Sequence, residues 1–146
     1  MRILVLHGPN LNMLGTRQPE VYGSSTLADI DASLRELGAE LGVDVDSRQS
    51  NHEGVLIEWI QEARGVYAAL LFNPGGYTHS SVALRDAVLA AELPCYEVHL
   101  SNVYARESFR HRSLFADISQ GRIMGFGAEG YRLALLGATA RLRGPS

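Results

Sequence analysis

Two stretches of the sequence combine Gly and Pro with polar side chains that could carry out chemistry. They are HGPNLNMLGTRQPEVYG at His7–Gly23 and NPGGYTHSS at Asn73–Ser81. Each follows a short apolar run that is typical of a buried strand, Ile3–Leu6 in the first case and Val66–Phe72 in the second. Open α/β sheets bind their ligands with polar groups at the carboxyl ends of their strands. We therefore expect the functional site in these loops.

Arg17 and Tyr22, in the first loop, could together abstract a proton. A free tyrosine has a pKa of about 10, so bringing it near 7 takes about three units, or roughly 4 kcal/mol. A guanidinium about 4 Å away supplies about 4 kcal/mol at an effective dielectric of 20, but only about 1 kcal/mol in water. Desolvation of the phenolate opposes this effect, and Arg106 is the candidate for a second cation. The pairing therefore requires that the loop closes and excludes water. Otherwise Arg17 is a solvated side chain and Tyr22 a packed one.

Glu97 and His99 form a second candidate pair, on a predicted strand. Residues two apart in a strand point to the same face, so the Glu97 carboxylate could orient the His99 imidazole. A histidine held in this way can act as a general acid. The alternative is a core histidine whose hydrogen-bonding needs Glu97 satisfies.

The sequence has five histidines, at His7, His52, His79, His99 and His111. They lack the i,i+4 spacing of a helical ligand pair, and no compact Cys/His cluster accompanies them. We therefore predict that the protein binds no metal.

His79, Ser80, Ser81 and Asp86 raise the alternative of a serine nucleophile. The strand–GxSxG–helix turn of serine hydrolases is missing, and Ser80 or Ser81 is better explained as the cap of the following helix. Asp86 lies off the apolar stripe of that helix. We expect its carboxylate to face solvent or a neighbouring subunit.

The glycine-rich loops give only weak support for phosphate binding. Neither Gly8–Gly15 nor Gly75-Gly76 matches GxGxxG or GxxxxGK[ST]. A flavodoxin-like module that holds a flavin or nucleotide at the same strand ends nevertheless remains the alternative function.

The composition limits the classes of function further. A chain of 146 residues with 46% hydrophobic and 20% charged residues is expected to form one domain. A net charge of −3 gives no basic footprint for nucleic acid or an anionic membrane, and the apolar runs are too short to span a bilayer. The single cysteine, Cys95, fits a reducing cytoplasm. All thirteen basic residues are Arg, so lysine Schiff-base chemistry is excluded.

Strand and helix patterns alternate five times along the chain, which predicts a parallel sheet with helices on both faces. Five strands favour the flavodoxin-like, three-layer α/β fold with strand order 2-1-3-4-5. Two loops, Gly8–Ser25 and roughly 100–120, are long enough to be lids, and Gly15 and Gly23 could serve as hinges of the first. Residues 138–146 carry no motif and are expected to be a loose tail. The predicted strands are Ile3–Leu6, Val43–Gln49, Val66–Phe72, Pro94–His99 and Arg122–Phe126, and the predicted helices begin at Thr26, His52, Ser80 and Tyr131.

Nearly the whole chain resembles the type II 3-dehydroquinate dehydratases of the shikimate pathway. The resemblance rests on HGPNLNMLGTRQPEVYG, on NPGGYTHSSVALRDA, and on EVHLSNVYARESFRHRS leading to GFGAEGYRLAL. It implies a lyase that converts 3-dehydroquinate to 3-dehydroshikimate by anti elimination through an enolate, with no metal or organic cofactor. This chemistry agrees with the absence of lysine, because the type II enzymes form no Schiff base.

The resemblance also implies a role for each matching residue. Tyr22, as tyrosinate, takes the C2 proton, and Arg17 lowers its pKa and closes with the lid. Asn10 steadies the enolate oxygen through a water, while His99, set by Glu97, protonates the leaving hydroxyl. The remaining residues bind substrate: the carboxylate is held by Asn73 and the backbone N–H groups of Leu100 and Ser101, and the ring hydroxyls by His79, Asp86 and Arg110.

The family assembles as a dodecamer built from trimers, so the resemblance implies the same for this chain. In relatives the residue equivalent to Asp86 reaches in from a neighbouring subunit. A family member kept for assembly alone is the structural alternative, and the intact Tyr22, Arg17 and His99 argue against it.

Overall fold

The computed structural model describes residues 1–16 and 18–144, without the side chains of Val21 and Tyr22. Within these residues, five strands form one parallel sheet in the order β2-β1-β3-β4-β5. The predicted strand order and fold class are therefore confirmed. The strands are β1 Arg2–His7, β2 Asp44–Gln49, β3 Ala69–Asn73, β4 Cys95–His99 and β5 Gly121–Met124.

Helices cover both faces of the sheet. Their bounds are α1 Pro19–Tyr22, α2 Leu27–Leu41, α3 Glu53–Ala63, α4 Val82–Ala91 and α5 Glu129–Arg143. Successive residues of a strand point to opposite faces, and β1 shows the consequence. Ile3 and Val5 pack beneath α2 and α5, whereas Leu4 and Leu6 pack beneath α3 and α4. The continuous apolar run of β1 is thus explained by burial on both faces.

Side-chain caps set where two of the helices begin. Thr26 accepts a hydrogen bond from the Asp29 backbone N–H, and the Asp29 carboxylate accepts one from the Thr26 N–H, which is the predicted capping box of α2. Ser81 caps α4 by accepting from the Leu84 N–H at 3.0 Å. Its hydroxyl also donates to Glu53. Ser81 is therefore a structural residue and not a free nucleophile.

Two predicted strand boundaries are wrong. The sequence pattern begins the third strand at Val66, but the backbone N–H groups of Val66 and Tyr67 bond to the Ala63 carbonyl and close the end of α3. β3 therefore begins at Ala69. The last strand ends at Met124 instead of Phe126, because Gly125 turns the chain with a φ of 91° and leaves Phe126 exposed.

The expectation of a loose tail from residue 138 onward is also wrong for the residues up to Arg143. α5 continues to that residue, and Ala138 and Thr139 are buried. Ala138 belongs to the core that α5 shares with α2 and the sheet. The helical stripe of α5 therefore extends further than the family motif, and Pro145 and Ser146 lie outside the described residues.

The carboxyl ends of β1 and β3 lie side by side, since His7 pairs with Asn73 in the sheet register. The loops that follow them are in direct contact. The Gly8 N–H donates to the Asn73 carbonyl at 2.8 Å, and a Cβ at residue 8 would stand 2.4 Å from the Pro74 carbonyl oxygen. Glycine at position 8 is therefore required by close packing, and it brings the two polar loops together.

Candidate active site

A cavity of about 150 Å³ lies at the carboxyl ends of β1, β3 and β4. This is the edge of the sheet at which the topology predicts a ligand. Most of the side chains and backbone groups that the sequence singled out line it. The predicted residues on its wall are Asn10, Asn73, His79, His99, Leu100, Ser101, Arg106 and Arg110.

Glu97 and His99 form a buried pair at the back of this cavity. His99 Nε2 lies 2.5 Å from Glu97 Oε2, and the two side chains are 8% and 1% exposed. The same carboxylate accepts hydrogen bonds from Ser113 Oγ and Arg122 Nε, each at 2.8 Å. Because Nε2 is held by the carboxylate, Nδ1 is the ring nitrogen of His99 that can exchange a proton with a bound molecule.

The pKa of Glu97 results from opposing influences. Burial acts to raise it, but the hydrogen bond and charge of His99, followed by the hydrogen bonds from Arg122 and Ser113, outweigh burial. The pKa of Glu97 is consequently lowered from its usual value. An ionised carboxylate therefore faces the His99 ring at neutral pH.

Asn10 and Asn73 occupy the two loops that meet at Gly8. Asn10 has a left-handed backbone (φ 69°), and its N–H donates to Asn51 Oδ1 at 3.0 Å. Gln49 Nε2 holds the same turn through the Gly8 carbonyl and Asn51 Oδ1. Asn73 is 3% exposed, and its Oδ1 accepts from the Gly75 N–H at 3.1 Å. Both amides are thus presented to the cavity from a fixed backbone.

His79, Arg106 and Arg110 also belong to the cavity wall. His79 Nδ1 lies 2.8 Å from the Arg112 carbonyl oxygen, and since a carbonyl only accepts, Nδ1 carries the proton. The pKa of His79 is lowered because burial, the largest influence, outweighs the hydrogen bond to the Arg112 carbonyl. The charges of His99 and Arg110 also lower this pKa, while that of Glu97 opposes them. A neutral His79 therefore offers Nε2 as an acceptor for a hydroxyl.

Glu107 positions the cations on this wall. Arg110 Nε lies 3.2 Å from both oxygens of the Glu107 carboxylate, and Arg106 Nε lies 3.7 Å from Oε1. The two arginine side chains are 23% and 17% exposed. The cavity thus combines cationic groups with neutral hydrogen-bonding groups, which suits an anionic, hydroxylated ligand.

One predicted site residue lies apart from the cavity, and the side chains of two others lie outside the described residues. Asp86 is exposed on α4 and does not line the cavity. Arg17 lies outside the described residues, as does the side chain of Tyr22, whose backbone ends α1. The prediction that Arg17 and Tyr22 form a pair stays a prediction.

Comparison with known proteins identifies the family. A family model described as dehydroquinase class II matches residues 1–139. The chain belongs to the class II dehydroquinase family. A 3-dehydroquinate dehydratase of Desulforudis audaxviator is 59% identical over 138 residues, covering 94% of this chain and 92% of the relative. A 3-dehydroquinate dehydratase of Nostoc sp. is 56% identical over 144 residues, covering 99% and 98%.

The fold agrees with this membership. The crystal structure of the type II dehydroquinase from Propionibacterium acnes matches with a TM-score of 0.91 at 43% identity, covering 95% of this chain and 96% of that one. The resemblance seen in the sequence is therefore confirmed. The alternative of a flavin- or nucleotide-binding module is not favoured.

Ser113 and Arg122 are site residues that the sequence did not reveal. They reach Glu97 from 16 and 25 positions away in the chain. Arg122 lies opposite Glu97 in the register of β4 and β5, so the sheet pairing could have indicated that contact. Ser113 belongs to an irregular segment with no periodicity, and nothing in its sequence indicated the contact.

Two further observations concern the described residues alone. In residues 1–16 and 18–144, no group of three or more His, Cys, Asp or Glu side chains is arranged to hold a metal ion. Across that same portion of the chain, no helix is both long and apolar enough to cross a membrane.

Proposed function

We propose that this chain catalyses the dehydration of 3-dehydroquinate to 3-dehydroshikimate, a step of the shikimate pathway of aromatic amino acid biosynthesis. The observation that carries the proposal is the cavity at the carboxyl ends of β1, β3 and β4, in a chain of the class II dehydroquinase family. Its wall combines His99, which Glu97 holds from behind, with two asparagines and two arginines. These groups match an anionic substrate that must gain and lose protons.

The chemistry required is an elimination without an imine. The substrate is a ketone with a hydroxyl group β to it, so loss of water begins with removal of the C2 proton, α to the ketone. The chain has no lysine to form an iminium. The electrons of the broken C–H bond must therefore be held as an enolate by preorganised hydrogen bonds.

We assign the proton transfers as follows. Tyr22, as tyrosinate, takes the C2 proton, and Arg17 lowers the pKa of this phenol and stabilises the developing charge. Asn10, through a bound water, donates to the enolate oxygen. His99 then gives its proton to the C1 hydroxyl, which leaves as water while the C1–C2 double bond forms. The 2.5 Å contact between His99 and Glu97 supports the last step, because the carboxylate stabilises the imidazolium.

The other cavity residues are proposed to bind the unreactive parts of the substrate. Asn73 and the backbone N–H groups of Leu100 and Ser101 hold the carboxylate. His79 accepts a hydrogen bond from a ring hydroxyl through Nε2, a role that its hydrogen bond to the Arg112 carbonyl supports. Arg110 donates to the hydroxyls from the same wall. These contacts orient the ring for removal of one C2 hydrogen.

The decisive experiment follows the absorbance of the conjugated enone. Purified protein mixed with 3-dehydroquinate is expected to produce the ultraviolet signal of 3-dehydroshikimate, and the product is verified by NMR. A chelator-treated sample serves as the control for adventitious metal and is expected to turn over at the same rate. No enone from correctly folded protein would overturn the proposal.

Asp86 is proposed to complete the site of a neighbouring subunit, within a dodecamer built from trimers in the cytoplasm. Its exposed position outside the cavity of its own chain supports this assignment. Complementation of Asp86→Ala with Tyr22→Phe tests it. Each variant alone is expected to be nearly inactive, whereas co-assembled mixtures recover activity because some sites receive both wild-type residues. Recovery that never exceeds the sum of the separate variants would contradict a shared site.

A further inference from the structure

A chain of hydrogen bonds runs through the core behind the cavity. Asn73 Nδ2 donates to the Tyr131 hydroxyl at 3.1 Å, and that hydroxyl lies 3.0 Å from His7 Nδ1. His7 Nε2 lies 2.8 Å from Asp31 Oδ1. Tyr131 and His7 are fully buried, whereas the Asp31 side chain is 22% exposed. These hydrogen bonds therefore link the Asp31 carboxylate, near the surface, to the Asn73 amide on the cavity wall.

The partners at its two ends dictate where the protons lie. The Gly75 N–H can only donate, so the Asn73 oxygen must face it and the nitrogen must face Tyr131. The Tyr131 hydroxyl, which accepts from Asn73, donates its own proton to His7 Nδ1. His7 Nε2–H then donates to the Asp31 carboxylate. One proton on the imidazole, at Nε2, satisfies every partner in the chain.

The hydroxyl in the middle of the chain keeps its proton. Burial raises the pKa of Tyr131 well above its ordinary value, and the Asp31 charge adds to this, while the Asn73 hydrogen bond opposes it. Tyr131 is therefore a neutral relay that both accepts and donates. Unlike Tyr22, it is not suited to act as a base.

The consequence for Asn73 is a fixed amide. If the amide were rotated by 180°, its NH2 group would face the Gly75 N–H. Two donors would then face each other, and the hydrogen bond to Gly75 would be lost. In the observed orientation one N–H of Nδ2 goes to Tyr131, and the other is left for a molecule in the cavity. The amide of Asn73, a residue that lines the cavity, thus keeps one N–H for a ligand, and a carboxylate requires such a donor.

We propose that His7 and Tyr131 are positioning residues for substrate binding, anchored by Asp31, and that they hold Asn73 as a donor to the substrate carboxylate. This inference rests on the proposed function, which assigns Asn73 to that carboxylate. The three residues do not line the cavity. They act through Asn73 and take no part in the proton transfers.

A substrate-binding role predicts a specific kinetic signature. The carboxylate does not change during the elimination, so its contacts stabilise ground state and transition state alike. Losing them raises KM and leaves kcat nearly unchanged. Tyr131→Phe removes the hydroxyl and keeps the ring. It is expected to raise KM about tenfold, the lower end of the effect of one hydrogen bond to a charged group, because the Asn73 contact is weakened and not removed.

Tyr67→Phe is the matched control. Tyr67 is a largely buried residue like Tyr131, and its hydroxyl donates to the Asp46 carboxylate at 2.6 Å. It precedes β3, however, so it lies at the amino end of that strand, away from the cavity. Both variants are expected to lower the thermal midpoint, because each loses a hydrogen bond. Only Tyr131→Phe should change KM. If the Tyr131 hydroxyl were important only for stability, Tyr131→Phe and Tyr67→Phe would have the same KM.

Position 7 offers a test by rescue. In His7→Gln the amide still provides an acceptor for Tyr131 and a donor for Asp31, so KM is expected to stay within about threefold of wild type. His7→Leu provides neither group, and KM should rise about tenfold. If a core variant does not fold, Asp31→Ala compared with Asp31→Asn carries the same test, because the Asp31 side chain is partly exposed.

The outcomes separate the two proposals. Wild-type protein that forms no 3-dehydroshikimate overturns the proposed function. Wild-type turnover with an unchanged KM in Tyr131→Phe and His7→Leu overturns this inference alone, as does an equal rise of KM in Tyr67→Phe. A rise of KM confined to Tyr131→Phe and His7→Leu, with rescue in His7→Gln, supports it.

Discussion

Replacing Glu97 by glutamine tests whether the buried charge behind His99 drives protonation of the leaving group. Glutamine has nearly the same shape, but it lacks the charge and carries an NH2 group. Glu97 Oε2 accepts from His99 and Ser113, and Oε1 accepts from Arg122. At the Oε1 position the NH2 group would face the Arg122 donor, whereas at Oε2 it would face His99 Nε2 and the Ser113 hydroxyl, which accept only if the imidazole proton moves to Nδ1 and the hydroxyl rotates. The substitution therefore removes the charge and breaks or reverses at least one hydrogen bond.

The expected loss of activity follows from the electrostatics of the pair. Opposite unit charges about 4 Å apart attract by about 4 kcal/mol at an effective dielectric of 20. That figure sets the order of magnitude of the stabilisation that an imidazolium at His99 would lose. A general acid contributes about 10²- to 10⁴-fold to a rate. We expect kcat to fall about 10²- to 10³-fold in Glu97→Gln, with KM within about threefold because Glu97 does not line the cavity.

Ser113→Ala is the matched control for this variant. It removes a hydrogen bond to the same carboxylate but keeps the charge and the contact with His99. Its kcat is expected to fall less than about tenfold. The assay for both is enone formation at saturating 3-dehydroquinate, with circular dichroism to verify the fold. If folded Glu97→Gln kept kcat within tenfold of wild type, the assignment of His99 as a carboxylate-assisted acid would be refuted.

The pH dependence of stability provides an independent test of the same charge. The pKa of Glu97 is lowered in the folded protein, so its stabilising contribution is fully present above its ordinary pKa of about 4.5. It is lost as the pH falls through the lower folded value. Glu97→Gln should cost about 2 kcal/mol of unfolding free energy near pH 7. This difference from wild type should shrink steadily below about pH 4.5 in urea denaturation at fixed protein concentration.

The remaining predictions concern the base and the absence of an imine. Tyr22→Phe should keep the fold and lose at least about 10³-fold in kcat, and substantial turnover in that variant would remove Tyr22 from the role of base. Arg17→Ala should shift the rise of kcat/KM to higher pH, because the guanidinium no longer lowers the pKa of the phenol. An unchanged pH profile would contradict that pairing. Borohydride added with substrate should leave the enzyme active, since a chain with no lysine forms no imine to be reduced, and irreversible inactivation would count against the enolate route.

Local sequence patterns were sufficient to predict the fold class, because each pattern involves residues that are close together in the sequence. The spacing of Thr26 and Asp29 predicts a capping box, which forms as expected. The apolar run of β1 predicts a strand buried on both faces, and its side chains do pack into the core on both sides of the sheet. The start of β3 was missed because Val66 is apolar but lies in the turn that ends α3. Hydrophobicity alone does not distinguish a strand from a turn closed by backbone hydrogen bonds.

The strand order, the carboxyl-end edge of the sheet where the cavity lies and most of the polar residues on the cavity wall could all be predicted from the sequence. The groups that support these residues could not be, because they come from distant parts of the chain. His7 and Tyr131 are 124 residues apart, and Ser113 and Arg122 reach Glu97 across separate elements. Such contacts leave no periodic trace, because they arise where packed elements bring one buried donor to one buried acceptor. Burying a polar group without a hydrogen-bond partner is unfavourable, so buried donors generally bond to acceptors that are close in the folded protein, however far apart the two are in the sequence.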